Sequence, residues 1–299
     1  MHRLALFHRN PTADPQDVHD HVIGNLSDLP KFQAQFELDR PDVVVDMLAQ
    51  NAACARLSTQ FATALGSRYI MISSSSVYRQ YGVFLGIEGG APSTDPATEK
   101  SALRARLFPY RQALPRRPDD PQKWMDDYDK IPAEEVCRSH PGLAATIMRL
   151  PMVYGSNDPD NRVGEYVEAM RRNSEIRITE TAAGWRNARG HVDNVARAIA
   201  MTVDNENTEP QIYNVADAAS IPEAEWIERI AKIVGWNGRL VVVPDSDPTG
   251  IKPISEASHN PNYHQDLRLS SERIRTVLGY SEVVELEPGL QDAAGHLSP

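Results

Sequence analysis

The chain has 299 residues, 41% of them hydrophobic, enough for one large domain or two small ones with a substantial core. A net charge of −10 and a pI near 5.4 argue against a nucleic-acid partner, whose backbone is bound mostly by cationic neutralisation. Cys54 and Cys137 are too few for a disulfide framework, and no run reaches the roughly 18 apolar residues of a membrane span, which points to a reduced, cytoplasmic protein.

Leu4 to Phe7 reads as a short buried strand and Val22-Ile23 as another. Between them His19-Asp20-His21 is read as a surface loop, because no cysteine or carboxylate set completes a metal site; no metal is expected. Asp42 to Leu48 is an apolar strand, and a helix follows from about Ala52 to Leu65, stopped by Gly66. Arg68 to Ile72 is the next strand, ending in Ser73-Ser-Ser-Ser76. Residues 79–125 are rich in Pro, Gly and charge, too long for an ordinary loop, and read as an insertion or lid. Its arginines 104, 106, 111, 116 and 117 are taken as a solvated cluster.

Helical character returns from Lys130 to about Arg138, followed by a strand over Ala144–Leu150 and a helix over Val163–Arg172. Asp193 is expected to cap a helix reaching Val203. Gln211–Val215 is a strand, and Ser220-Ile-Pro-Glu223 reads as a capping box for a helix over Ala224–Val234, ended by Gly235. Arg239–Val243 is a strand, and Ser271–Leu278 a helix stopped by Gly279. Strands alternating with helices imply an α/β fold with a parallel, doubly wound sheet.

One expected feature is absent. A dinucleotide-binding sheet places a glycine-rich turn after its first strand, where bare backbone meets a pyrophosphate. None of the 17 glycines forms that pattern after a strand. Yet four segments, Ile72-Ser-Ser-Ser-Ser-Val-Tyr78, Tyr128-Asp-Lys130, Arg149-Leu-Pro-Met-Val-Tyr-Gly155 and His191-Val-Asp-Asn-Val-Ala196, resemble the extended short-chain dehydrogenase/reductase family of nucleotide-sugar epimerases and dehydratases. Tyr213-Asn-Val-Ala-Asp217 is similar to that family's later strand. On this resemblance the opening residues are the family's second strand, and the expectation is that about one βα unit is missing upstream.

The resemblance implies a Rossmann-type domain over residues 1–157 and 188–218, lacking its first strand, and a smaller, discontinuous substrate domain over 158–187 and 219–299. It implies NADP or NAD as cofactor, with NADP favoured because Arg9 stands where an acidic residue would meet a ribose hydroxyl. Asn25 and Leu26 take the adenine-contacting positions, Leu48 and Ala49 lie along the ribose, and Ser73, Lys130, Pro151 and Val153 complete the cofactor contacts. Whether a chain without the glycine turn holds the cofactor stays open.

The family's catalytic set is a serine, a tyrosine and a lysine, the tyrosine moving a proton on a substrate hydroxyl. Ser74 and Lys130 match. The family's Y-x-x-x-K spacing instead puts Asp126 where the tyrosine belongs, with Tyr128 two residues from Lys130. Pro132 belongs in a helix's first turn, so the helix is expected to begin near Asp129 and leave Tyr128 in non-helical backbone. Tyr128 or Asp126 is then the acid/base, or Lys130 only grips the nicotinamide ribose. Relatives place a diphosphate-binding arginine where this chain has Asn187, which leaves Arg186 and Arg189 as displaced candidates, with Tyr154 beside the substrate.

Two functions are expected from different classes. One is an NAD(P)-dependent epimerase, dehydratase or reductase acting on a hydroxylated, sugar-like substrate. The other is a non-catalytic relative serving as a ligand sensor or binding protein. Relatives also pair through two helices, here 52–65 and 130–138, so a homodimer is the expected assembly.

Overall fold

The structure, a computed structural model, describes residues 2–9, 18–111, 115–207, 209–251, 253 and 261–295. Strand β1 (Ala5–His8) pairs in parallel with β2 (Asp20–Ile23), Leu6 opposite His21. A 3₁₀ turn over Leu26–Phe32 leads to α1 (Gln33–Asp39) and β3 (Val43–Asp46). Helix α2 (Ala52–Leu65) starts where the Asn51 side chain accepts a hydrogen bond from the Cys54 amide. It stops at Gly66, whose φ of 69° is the left-handed cap that glycine adopts without a Cβ clash. Strand β4 (Arg68–Ser74) runs parallel to β3, Val43 opposite Arg68.

Helix α3 (Arg79–Phe84) opens the long 79–125 segment, whose described residues form no further helix or strand until a 3₁₀ turn at Lys123–Asp127. Helix α4 (Lys130–Ser139) begins after Asp129, whose carboxylate accepts from the Ile131 amide at 3.0 Å. Pro132 therefore sits in the first turn, where its missing N–H has no helical partner to lose. The remaining elements are β5 (Ala145–Leu150), β6 (Met152–Tyr154), α5 (Gly164–Arg172), β7 (Glu175–Thr179), α6 (Glu180–Gly184) and β8 (Arg189–His191). They continue as α7 (Val192–Asp204), β9 (Gln211–Asn214), α8 (Glu223–Ile233), β10 (Arg239–Val243), α9 (Glu272–Leu278) and α10 (Leu286–Gly295).

The main sheet has the order β3-β4-β5-β9, and three parallel pairs accompany it: β1 with β2, β6 with β8, and β7 with β10. Parallel neighbours need crossovers, which intervening helices supply for β3–β4, β6–β8 and β7–β10. This is the expected α/β arrangement.

The chain divides into two compact units. The first comprises residues 1–72, 127–147 and 207–211. Its β1–β2 end closes over Val22, Leu29, Phe36 and Phe61, with Phe36 and Phe61 edge-to-face at 5.4 Å. Helices α2 and α4 pack against each other. The second unit comprises residues 73–126, 148–206 and 212–299. Its core is aromatic: Phe84 stacks on Trp185 at 5.2 Å, and Tyr154 meets Trp226 edge-on at 5.1 Å. Each such side chain removes roughly 150–250 Å² from water, a large addition to the aliphatic burial around it.

Two local expectations are corrected. Helix α7 is capped by His191, whose Nδ1 accepts from the Asp193 amide at 3.3 Å, so Asp193 lies inside the helix. The capping box at Ser220–Glu223 does not form. The Ser220 hydroxyl donates to the Asn187 carbonyl at 2.8 Å, and Pro222 heads α8 without a side-chain cap. The Glu223 carboxylate turns inward to Tyr166 and Arg189, because a buried guanidinium demands a counter-charge more strongly than an amide demands a cap.

Candidate functional site

In the first unit the chemistry gathers at Lys130, the first residue of α4. The side chain is buried, and its Nζ donates to the Ile72 carbonyl at 2.8 Å, two residues before the end of β4. Burial brings its ammonium down from the usual lysine range to about 8, opposed by the nearby Asp46 carboxylate. Asp46 accepts from the Ser58 hydroxyl, from the Tyr69 hydroxyl at 2.5 Å and from the Leu48 amide at 2.7 Å. The loop after β3 is thus fixed at one end by Asp46. At the other, the Gln50 carbonyl accepts from the Asp129 amide at 3.0 Å. Leu48 is exposed on this loop and Ala49 is buried.

Tyr128 lies in irregular backbone between the 3₁₀ turn and α4. An i+2 pair on a regular helix would point apart. Because Tyr128 precedes the cap, Lys130 Nζ comes 5.8 Å from its ring centroid, inside the range of a cation–π contact. Arg9 is exposed just after β1. Asn25 heads the 3₁₀ turn with its amide 3.4 Å from Asp28, and Leu26 packs on the core of this unit.

The second unit holds the other expected residues. Ser73 is buried, and the Ser74 hydroxyl accepts from the Ser76 amide at 3.1 Å, which leaves its O–H able to donate. Asp126 is buried as an ion-pair anchor: Lys123 reaches it at 2.9 Å and Arg116 at 2.5 Å. Lys123 first, and then Arg116, hold its carboxyl down to about 2, so it is a weak proton acceptor at neutral pH. Pro151 is buried against Gly190, and the Val153 carbonyl accepts from Arg162 at 3.1 Å. Tyr154 is core, wedged edge-on between His191 and Trp226. Trp185 is core as well.

A cavity of about 220 Å³ opens in this unit. Arg189, only 5% exposed, forms part of its wall with the guanidinium 4.1 Å above the Trp226 ring and an ion pair to buried Glu223. Its Nε and Nη1 have no hydrogen-bond partner among the described residues. Asn187, Asp217, Glu282 and Glu285 also line the space. Burial lifts the Asp217 carboxyl to about 6 although the Asn194 amide and the His191 backbone donate to it. Arg186 is directed elsewhere, donating to the Ser220 carbonyl at 2.5 Å. The sequence reading named Arg189 but passed over Glu223, Trp226, Glu282 and Glu285. Glu223 was hidden inside a plausible capping box, and the other three carry no local signal.

No group of three or more potential metal ligands, and no helix long and apolar enough to cross a membrane, occurs among the described residues. Residues 107–216 match the model of the NAD dependent epimerase/dehydratase family. No curated protein sequence matches the chain. Among solved structures, MoeE5 in complex with UDP-glucuronic acid and NAD is similar with a TM-score of 0.66 and 15% identity, covering 98% of this chain and 90% of that one. The UDP-glucose 4-epimerase of Thermotoga maritima with UDP-glucose gives 0.65 at 16% identity, covering 99% and 90%. The dTDP-glucose 4,6-dehydratase of Bacillus anthracis in complex with NAD gives 0.63 at 14% identity, covering 94% and 80%. By family model over residues 107–216 and by fold over nearly its whole length, the chain resembles the NAD-dependent epimerases and dehydratases of the extended short-chain dehydrogenase/reductase family.

Proposed function

We propose that the chain is an NAD(P)-dependent oxidoreductase of the epimerase/dehydratase type, acting on a hydroxylated small molecule. The observation that carries this reading is Lys130: an ammonium kept in a buried site, held by one carbonyl at 2.8 Å and brought down to about 8. Perturbed lysines of this kind concentrate at functional sites. The residues fit the nicotinamide-ribose end of such a cofactor, with Lys130 and the Leu48–Ala49 loop as its holders. When bound, the nicotinamide supplies hydride exchange at a carbinol carbon.

On this reading the Lys130 ammonium donates to ribose oxygens and favours ionisation of the Tyr128 phenol, which exchanges the substrate hydroxyl proton. By resemblance to the family set, Ser74 is a hydrogen-bond donor to substrate. Asp126 holds its own segment through Arg116 and Lys123 and takes no part in proton transfer. The nucleotides of the similar structures favour NAD; Arg9 favours NADP, and a direct comparison of the two decides. Self-association through α2 and α4, and a cytoplasmic location in keeping with two free cysteines, belong to the same proposal.

A sensor without turnover is the second reading, favoured by the engagement of Asp126 at the family's tyrosine position. Reduction of NAD⁺ or NADP⁺, followed with a panel of polyols and sugars, separates them. Turnover that Lys130→Ala abolishes supports the enzyme. Cofactor binding without turnover on any alcohol or carbonyl supports the sensor.

A further inference from the structure

The cavity of the second unit has the wrong charge for the ligand its fold would suggest. One arginine faces three carboxylates, Asp217, Glu285 and a Glu282 that is itself ion-paired to Arg275. That arginine is already neutralised, since Glu223 pairs with Arg189 and completes its own bonding through Tyr166 at 2.7 Å. Arg186 is engaged by the Ser220 carbonyl, and Asn187 brings an uncharged amide to the wall. A diphosphate placed here would meet more negative than positive charge. Its volume of about 220 Å³ also falls below the roughly 300–1,000 Å³ of sites that take drug-sized ligands.

The same cavity carries an unmet demand. Arg189 is 5% exposed, yet Nε and Nη1 lack partners among the described residues. Buried donors are nearly always satisfied, so two on one guanidinium call for acceptor oxygens, which a ligand's hydroxyls can supply. Glu282 is met by Arg275, but Asp217 and Glu285 call for the opposite, a donor bearing positive charge. The Trp226 side chain and Ile221 supply apolar wall for a compact carbon skeleton.

We infer that this cavity seats a small hydroxylated amine, of the amino-sugar or amino-polyol class, and not a nucleoside diphosphate. The ligand's hydroxyl oxygens accept from Arg189 and its ammonium lies against Asp217 and Glu285. This rests on the proposed function only in taking the ligand as a hydroxylated small molecule.

The test is calorimetric titration of the purified chain, without cofactor, with D-glucosamine, glucose, UDP and UDP-glucose. D-Glucosamine is expected to bind saturably and at least tenfold more tightly than glucose, with UDP and UDP-glucose weaker still. Asp217→Asn preserves shape and, with its amide oxygen toward the His191 N–H, that bond, while giving up the one from the Asn194 amide. It is expected to weaken D-glucosamine at least tenfold while circular dichroism stays unchanged, and Glu285→Gln, on an exposed residue, provides an independent check on loss of charge. UDP or UDP-glucose binding more tightly than the amine, no saturable amine binding at millimolar concentration, or amine binding indifferent to both substitutions would overturn the inference. Because no nicotinamide cofactor is present, a failure here is distinct from a failure of cofactor binding at Lys130.

Discussion

Lys130→Met separates a functional lysine from a structural one. The displacement of its ammonium from 10.5 to about 8, at about 1.4 kcal/mol per pH unit, amounts to roughly 3 kcal/mol charged against the folded state when the lysine is protonated. Methionine has similar length and removes that cost. It also forfeits the hydrogen bond to the Ile72 carbonyl, worth about 1–3 kcal/mol if that acceptor is left unpaired. At pH 7 the variant should therefore range from equal stability to about 2 kcal/mol more stable than the parent. The unfolded chain keeps this proton up to about 10.5, whereas the folded chain releases it near 8. The parent's stability relative to the variant should thus be flat below pH 8 and rise between pH 8 and 10.5. Urea midpoints of both proteins across that window measure the difference and cancel the other titrating groups. A variant about 3 kcal/mol less stable at pH 7, or a difference independent of pH, would show that Lys130 serves the fold.

Glu223→Gln leaves the buried Arg189 charge uncompensated and should cost about 3–5 kcal/mol by urea denaturation; a loss below about 1 kcal/mol would mean that the pair is not buried as described. Gly155 has φ 153°, and a Cβ there would meet a Val192 methyl at 2.6 Å. Gly155→Ala should thus lower stability by more than about 1 kcal/mol, and an unchanged melting temperature would contradict that. If a substrate is found, Tyr128→Phe should reduce kcat by about 10²–10⁴-fold with cofactor affinity unchanged, while Asp126→Asn should keep turnover and increase proteolysis of the 115–126 segment. The reverse ranking of the two variants would return proton transfer to Asp126.

Much of the fold was readable because its signals are local. Helix α2 combines an apolar stripe with a stop at Gly66, and the start of α4 follows from Asp129 and Pro132. Strand β7 was overlooked because Glu175-Ile-Arg-Ile-Thr mixes charge with β-branched residues and pairs with β10, 64 residues away. Helix α10 carries Pro288 in its first turn, as α4 carries Pro132, but then Gly289, a poor helix former. Tertiary packing offsets Gly289, which lets the helix approach His191 and Tyr154, each 3.0 Å from where a Cβ would stand. The candidate site was legible in the same measure. Lys130 stood out through its motif. The ion pairs of Asp126 with Arg116 and of Arg189 with Glu223 join residues that only the folded chain brings together.

The central claim is that Lys130 helps to hold a nicotinamide cofactor. Titrating the parent chain and Lys130→Ala with NADH and NADPH, and following the fluorescence of the reduced nicotinamide, tests it most directly. The account predicts saturable binding of at least one of them by the parent, weakened at least tenfold in the variant and declining in the parent as pH rises through about 8. Absence of saturable binding by the parent at millimolar concentration of either cofactor, or equal affinity in both proteins, would contradict it.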